Sequence, residues 1–331
     1  MIPPSRLLRA VRAFTLIEML VSMAVLVLLI LMVTQIMNSA TKTTGQSRQH
    51  LEADAEARMI FDRMAGDFGR LVNRKDVDFL FLDQQDGNDQ IFFFSEAPAV
   101  TSTTATTADP SQPVALVGYR ISTGYQLERL GKGLTWGGTP PDGVIFLTYP
   151  LTAGPPGTGA GPTPTPAPDA NSTLEGGAFY PIITAASNVA GSAYHVIGEN
   201  VFRLEFSFLL KPYTPTGSPT QNPAIYSTKP YNDNHPDKAH QNGIGLSDVQ
   251  AVVVTLALMD GRSRKLISGP SALAGIVSGA FSETADTNKL PAEKWQAHIK
   301  DFTDGSAAIP QAAASQIRVY QRLFYLNSNA N

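Results

Sequence analysis

No other segment limits the fold of this chain as strongly as a run of twenty residues, FTLIEMLVSMAVLVLLILMV, at positions 14–33. Twenty apolar residues in a helix measure about 30 Å, which matches the hydrocarbon core of a bilayer. Glu18 is the only charged residue among them. A carboxylate in lipid costs roughly 2.5 kcal/mol or more near the bilayer centre and less near an end. The pattern predicts a membrane-spanning helix at 14–35 and leaves Glu18 to be explained.

The residues before this run carry positive charge only. Arg6, Arg9 and Arg12 lie in residues 1–13, MIPPSRLLRAVRA, which contain no acidic residue. Such a segment stays in the cytoplasm by the positive-inside rule, so the chain after Val33 is expected on the other side of the membrane. A secretory signal fits less well, because its apolar stretch is about 7–15 residues long and ends at a small-residue cleavage site.

Composition and motifs exclude several classes of function. The 331 residues contain no cysteine, which rules out disulfides, thiol catalysis and cysteine-ligated zinc. The 25 basic and 28 acidic residues nearly cancel, so a nucleic-acid partner is not expected. The histidines have no metal-ligand spacing, and no nucleophile elbow, phosphate loop or dinucleotide fingerprint is present. We therefore predict no enzyme activity, no metal and no cofactor, although a catalytic site assembled from distant residues stays open.

The start of the apolar run resembles a known processing site. Residues 12–18, RAFTLIE, look like the motif of type IV prepilins and type II secretion pseudopilins. In that family a prepilin peptidase cuts before a phenylalanine and methylates the new amine, and a glutamate is the fifth mature residue. The resemblance implies cleavage between Ala13 and Phe14, N-methylation of Phe14, and an assembly segment that consists of Thr15, Leu16, Ile17 and Glu18. The family usually has glycine where this chain has Ala13, which is also small.

This resemblance gives Glu18 a physical role. Cleavage before Phe14 creates an ammonium group at the head of the helix, where the helix dipole also favours a carboxylate. In the family, the glutamate is understood to meet the amine of a neighbouring subunit on assembly, and a buried pair of this kind serves register more than stability. The alternative is that Glu18 reaches the lipid headgroups from four residues inside the span.

The helix is predicted to continue beyond the membrane as an amphipathic segment, residues 36–72. Its apolar side chains recur at steps of three or four residues, namely Ala53, Ala57, Ile60, Met64, Phe68 and Leu71. A continuous helix from Phe14 to Leu71 would be about 87 Å long. A coiled-coil stalk is less favoured, because the apolar stripe lasts under three heptads.

From residue 73 the hydrophobic period changes to two, which predicts antiparallel sheet with one face on a core. Eight strands are predicted: VDFLFLD, QIFFFSE, VALVGYRI, YQLERL, VIFLTYP, VFRLEFSFLL, VQAVVVTLALMD and IRVYQRLFYL. In the sixth, Phe202, Leu204, Phe206, Phe208 and Leu210 are expected to share one face, and in the seventh Val252, Val254, Leu256 and Leu258.

Several segments interrupt this head, residues 73–331. Low-complexity loops are predicted at 98–113, 151–173 and 211–243, and SALAGIVSGAF and AEKWQAHIKDF are predicted as short helices. DQQDGNDQ predicts a hairpin through its Asp86-Gly87 turn signal. A calcium site in this segment is less favoured, because its three aspartates lack the spacing of a calcium loop. The fold class is α+β, with the pilin-like plan of a long N-terminal helix packed on an antiparallel sheet.

Short strings in the head resemble the minor pseudopilin J of type II secretion. These strings are VGYRI at 117–121, LER at 127–129, GENV at 198–201 and LMD at 258–260. In size the chain is equally similar to the large pilin-like proteins of the verrucomicrobial Verru_Chthon cassette type.

The resemblance implies a tip-associated minor pseudopilin of a type II secretion or type IV pilus-like filament that acts in protein export. It would be a single-pass protein of the bacterial inner membrane with a periplasmic head. Its partners would be the prepilin peptidase, other minor pseudopilins or pilins, the inner-membrane assembly platform and membrane lipid. One alternative is a minor pilin for adhesion or DNA uptake. The other is a membrane-anchored exported enzyme with His195 or His298 beside a carboxylate.

Overall fold

The predicted long helix forms as one element, α1 (Leu16–Phe68). The computed structural model describes residues 15–73, 77, 79–84, 87–96, 114–136, 143–144, 180–185, 193–214, 220–231, 246, 248–267, 270–281, 290–303 and 310–326. The chain divides into two compact units, Met1–Leu51 and Glu52–Asn331. The predicted leader (1–13) and the loops 98–113 and 151–173 lie outside the described residues.

The second unit combines two sheets with short helices. After α1 the elements are β1 (Phe79–Leu82), β2 (Gln90–Ser95), β3 (Val114–Ile121), β4 (Leu127–Trp136), β5 (Gly143–Val144), α2 (Tyr180–Ile183), β6 (Tyr194–Gly198), β7 (Val201–Leu210), β8 (Ile225–Ser227), β9 (Val249–Leu258), α3 (Gly261–Lys265), α4 (Pro270–Ala280), α5 (Pro291–Thr303), α6 (Gln311–Ala314) and β10 (Arg318–Tyr325). Helices α4 and α5 confirm the two helices predicted late in the chain. Strand β8 lies inside the predicted loop 211–243 and pairs with β7.

The strands form two sheets. The first has the order β1-β2-β3-β4-β5, with β6 also paired to β4, and the second has the order β10-β9-β7-β8. Neighbouring strands are antiparallel, apart from the two residue pairs between β4 and β5. The predicted α+β class, with a long N-terminal helix and antiparallel sheets, is therefore confirmed.

The C-terminal part of α1 packs on both sheets through its apolar stripe. Ala57, Ile60, Met64 and Phe68 are buried, and the ring of Phe68 stacks 5.0 Å from Phe93 of β2 and 5.2 Å from Phe324 of β10. The helix ends at Phe68 rather than at the predicted Leu71. The chain leaves the helix there because its next residues bond to the first sheet, where the Val72 N–H donates to the Phe94 carbonyl at 2.9 Å.

The prediction of a one-sided sheet is wrong for both sheets. A second core covers the opposite face of sheet two, where Phe202 and Met259 meet helix residues such as Phe281 and Trp295. A third covers the opposite face of sheet one, with Phe92 and Phe94 buried among others. Strands covered on both faces lose a clean alternation of apolar and polar residues, as β9 (VQAVVVTLAL) illustrates.

The predicted face of β7 needs one correction. Leu204, Phe206, Phe208 and Leu210 share the core beneath α1 as expected, but Phe202 lies on the opposite face with the helices. The pairing with β9 shifts register between Val201 and Arg203. Such a bulge sets two consecutive residues against one partner residue, which turns Phe202 away from the other four.

Candidate processing and assembly site

A reciprocal pair of hydrogen bonds closes the N-terminus of α1. The Glu18 N–H donates to Thr15 Oγ1 at 3.3 Å, and Glu18 Oε2 accepts from the Thr15 N–H at 3.1 Å and from its hydroxyl at 3.0 Å. This is a capping box, which satisfies N–H groups that have no partner inside the helix. Glu18 thus has a role within its own chain that the sequence analysis missed, although the T-x-x-E spacing was available to signal it.

The structure brings together only part of the predicted processing segment. Thr15 and Glu18 are in contact, while Leu16 and Ile17 open the helix with 83% and 66% of their surfaces exposed. Ala13 and Phe14 lie outside the described residues.

The apolar part of α1 presents its side chains outward. Each large apolar residue from Leu16 to Met37 is at least half exposed, and the helix is long and apolar enough to cross a membrane. The hydroxyls of Ser22 and Thr34 donate to carbonyls of the same helix, at 2.9 Å to Met19 and 2.8 Å to Ile30. Because these hydroxyls are satisfied internally, they impose little penalty in an apolar surrounding.

The other end of α1 is held by a buried ion pair. Asp67, 2% exposed, accepts from Arg129 Nε at 2.6 Å and from Arg129 Nη2 at 2.8 Å, and Arg129 is 1% exposed. The Tyr119 hydroxyl also donates to Asp67. Burial and the neighbouring carboxylate raise the pKa of Tyr119, so the phenol keeps its proton and acts as a donor. This arrangement joins the last turn of α1 to strands β3 and β4.

A second set of contacts holds α1 against the turn between β6 and β7. Glu56 accepts from the Asn200 N–H at 3.0 Å and from Asn200 Nδ2 at 2.7 Å. A Cβ on Gly198 would lie 2.8 Å from Cδ1 of Ile60, so the lack of a side chain at this position lets the turn lie close to the helix. Nearby, the Tyr320 hydroxyl of β10 donates to Asp54 at 2.5 Å.

These contacts give a structural role to the strings that resemble pseudopilin J. Tyr119, Arg129, Gly198 and Asn200 all belong to those strings, and each helps to position α1 on the sheets. Any long helix docked on a sheet needs residues of this kind. The resemblance in the head is therefore evidence about packing, and it does not identify a particular filament subunit.

The enzyme interpretation gains no support from the described histidines. His195 lies opposite Arg129 in the pairing of β4 with β6, and burial together with the charge of Arg129 lowers the pKa of its ring. Arg129 itself is bonded to the carboxylate of Asp67. His298 is exposed on α5, and no group of three metal-binding side chains occurs among the described residues.

Comparison with known proteins identifies the N-terminal segment. Residues 8–34 match the family described as the prokaryotic N-terminal methylation motif, which confirms the prepilin-type motif predicted from residues 12–18. No curated protein matches the sequence. A type IV-like pilin from Thermus thermophilus is similar in structure over 84% of this chain and 96% of its own, at 11% identity and a TM-score of 0.30. A likeness this weak carries no argument about function.

Proposed function

We propose that this chain, which carries a prokaryotic N-terminal methylation motif at residues 8–34, is a pilin-like structural subunit that assembles through α1. More specifically, it would be a minor pseudopilin near the tip of a type II secretion or type IV pilus-like filament that acts in protein export. Cleavage between Ala13 and Phe14 and methylation of Phe14 would come first. The apolar face of α1 would then leave the lipid and pack against the helices of other subunits.

One observation carries the proposal. The methylation motif leads directly into a helix whose apolar side chains from Leu16 to Met37 are all at least half exposed. An exposed apolar surface of this extent calls for lipid or for other helices as its surroundings. A pilin-like subunit uses both in turn, first as a protein of the inner membrane and then as part of a filament.

The proposed pairing of Glu18 must take its local bonds into account. Within the subunit the carboxylate is bonded to Thr15 through Oε2. A carboxylate has two oxygens and about four lone-pair sites, so Glu18 can keep this cap and still accept from the amine of a neighbouring subunit. The partners in assembly would be other minor pseudopilins or pilins and the inner-membrane platform, after the action of a prepilin peptidase.

The first test is mass spectrometry of the N-terminal peptide, with and without an active prepilin peptidase. We expect a chain that starts at N-methylated Phe14 when the peptidase is active and at Met1 when it is not. A start at Met1 in both samples would leave a permanent anchor and contradict the proposal.

A second test separates assembly from processing. The chain contains no cysteine, so single cysteines introduced at Leu16 and Ile36 can report helix-to-helix contacts without interference. We expect disulfide-linked subunits from the processed chain and a strong reduction with Glu18→Gln. Normal processing without any crosslinking would show that the motif is functional and would reject the filament role.

A further inference from the structure

Among the described strands, none covers one edge of β7 along its first half. Its pairing with β9 runs from Val201 to Leu210, but on the other side β8 pairs only with residues 208–210. The backbone groups of residues 202–206 on that side therefore need another partner, because buried N–H and C=O groups are costly when unpaired.

Asn88 and Asp89, at the start of β2, supply that partner. The Asn88 side chain donates to the Phe202 carbonyl at 3.3 Å and accepts from the Leu204 N–H at 2.9 Å. The Asp89 N–H donates to the Leu204 carbonyl at 3.2 Å, and Asp89 Oδ2 accepts from the Phe206 N–H at 2.9 Å. Four hydrogen bonds thus replace a strand along this edge and join the two sheets. We call Asn88 and Asp89 the edge clamp.

The clamp places a carboxyl group in a buried and charged environment. Asp89 is 2% exposed and also accepts from the Gln84 N–H at 3.1 Å. Arg203 of β7 lies close enough to attract it, but this arginine is already bonded to Glu205 and to the Phe281 carbonyl. Asp83 adds a repelling negative charge.

We propose that the edge clamp is sensitive to pH, and that it holds β7 firmly while Asp89 is protonated and opens more often once Asp89 ionises. A neutral carboxyl group avoids the penalty of a buried charge and still accepts an N–H bond through its carbonyl oxygen. An ionised one gains hydration when the clamp opens. The inference is independent of the proposed filament role.

The direction and range of the effect follow from the two states of Asp89. Burial raises the pKa of Asp89 to about 8 in the closed clamp, against the attraction of Arg203 and the N–H bonds, whereas its ordinary value is 3.8. The closed state thus binds more protons than the open state between these two values. Its advantage is complete below pH 3.8, falls as the pH rises, and reaches its minimum above pH 8.

The test is hydrogen exchange at single-residue resolution on the full chain in detergent, between pH 5 and pH 9. The amides of Leu204 and Phe206 report the clamp, and those of Val252 and Val254 in the central strand β9 serve as the reference. Their ratio cancels the intrinsic effect of pH on exchange. We expect the exchange rate of the clamp amides, divided by that of the reference amides, to rise by up to about tenfold per pH unit and to level off near pH 8.

Two variants sharpen the result. Asp89→Asn cannot ionise, so its ratio is expected to stay constant with pH. Asn88→Ala removes two bonds but keeps the carboxyl group, so Leu204 is expected to exchange faster at every pH. A ratio in the unmodified chain that does not change with pH would overturn the proposal. Should Asp89→Asn fail to fold, the NMR signal of the Asp89 carboxyl carbon in the unmodified chain is followed against pH instead. Titration of this signal near pH 3.8 would reject the clamp as a pH-sensitive device.

Discussion

Asp67 joins the last turn of α1 to β4 through a buried ion pair with Arg129, and to β3 through the hydroxyl of Tyr119. We expect Asp67→Asn to lower the free energy of unfolding by about 3–5 kcal/mol, because it leaves the charge of Arg129 buried without its partner. Urea unfolding of the detergent-solubilised chain, followed by circular dichroism, measures the change. A double variant, Asp67→Asn with Arg129→Met, is expected to lose less than the sum of the single changes.

A matched control lies five residues earlier on the same helix. Asp62 pairs with Arg322 at 2.9 Å, but the two side chains are 64% and 43% exposed. Exposed pairs contribute little, so Asp62→Asn is expected to change the stability by no more than about 1 kcal/mol. If both variants lost the same amount, burial would not be the reason for the importance of Asp67.

The cap at Thr15 makes a second prediction at this scale. Thr15→Ala removes the acceptor of the Glu18 N–H, and the loss of such a cap costs about 0.5–2 kcal/mol. The Glu18 amide is therefore expected to exchange roughly 2- to 30-fold faster in detergent. Thr15→Ser keeps the hydroxyl and is expected to restore the exchange rate.

Thr34→Ala is the comparison for this cap. Its hydroxyl donates only to the carbonyl of Ile30 in the same helix, so its loss is expected to leave the Glu18 amide unchanged. Equal effects of the alanine substitutions at Thr15 and Thr34 would show that the capping box does not set the start of α1.

The buried ion pair of Asp67 and the cap at Thr15 differ in how far the sequence predicts them. Asp67 lies three residues after Met64, on the buried stripe of α1, so its position was visible in the helical period. Its partner was not, because Arg129 is 62 residues away and the pairing depends on where β4 lies. The T-x-x-E cap, in contrast, is local and could have been predicted.

At the scale of elements, two glycines test how tightly the strands and helices pack. A Cβ on Gly118 of β3 would lie 2.1 Å from the ring of Phe92 on the neighbouring strand, while a Cβ on Gly275 of α4 would meet nothing within 4 Å. We expect Gly118→Ala to cost about 1–3 kcal/mol. Gly275→Ala is expected to stabilise by about 0.5–1 kcal/mol, because glycine inside a helix loses more entropy on folding.

Urea midpoints measured on both alanine variants check this pair. A gain in stability from Gly118→Ala would mean that the ring of Phe92 moves away easily, which would contradict the close cross-strand packing.

Elements also show where a periodic pattern misleads. The alternation in β7 correctly groups Leu204, Phe206, Phe208 and Leu210, and fails at Phe202 because of the bulge. One extra residue reverses every side chain beyond it. The bulge is set by the pairing with β9, so the sequence of β7 carries no local signal for it.

At the scale of the whole molecule, the second unit is expected to fold without the apolar part of α1. Within the second unit, Ala53 packs against the apolar core and Asp54 accepts from the Tyr320 hydroxyl of β10. A chain that starts at Glu52 keeps these contacts and loses the exposed apolar residues, so it is expected to be soluble without detergent. Gel filtration and cooperative urea unfolding measure this outcome.

The matched comparison is a chain that starts at Asn38. Both forms are expected to unfold at similar urea concentrations, because residues 38–48 are exposed wherever their burial is described. If only the longer form folded, residues 38–51 would be needed for the stability of the second unit.

Two kinds of information can be separated in this protein. The membrane-grade helix, the methylation motif, the amphipathic stripe and most strands follow from local patterns, because helix, strand and span each have a period or length that is set by the backbone and the bilayer. The contacts of Asp67 with Arg129, of Glu56 with Asn200 and of Asp89 with Phe206 follow only from the folded chain. Each joins residues more than sixty positions apart, and burial, rather than residue type, gives these contacts their strength.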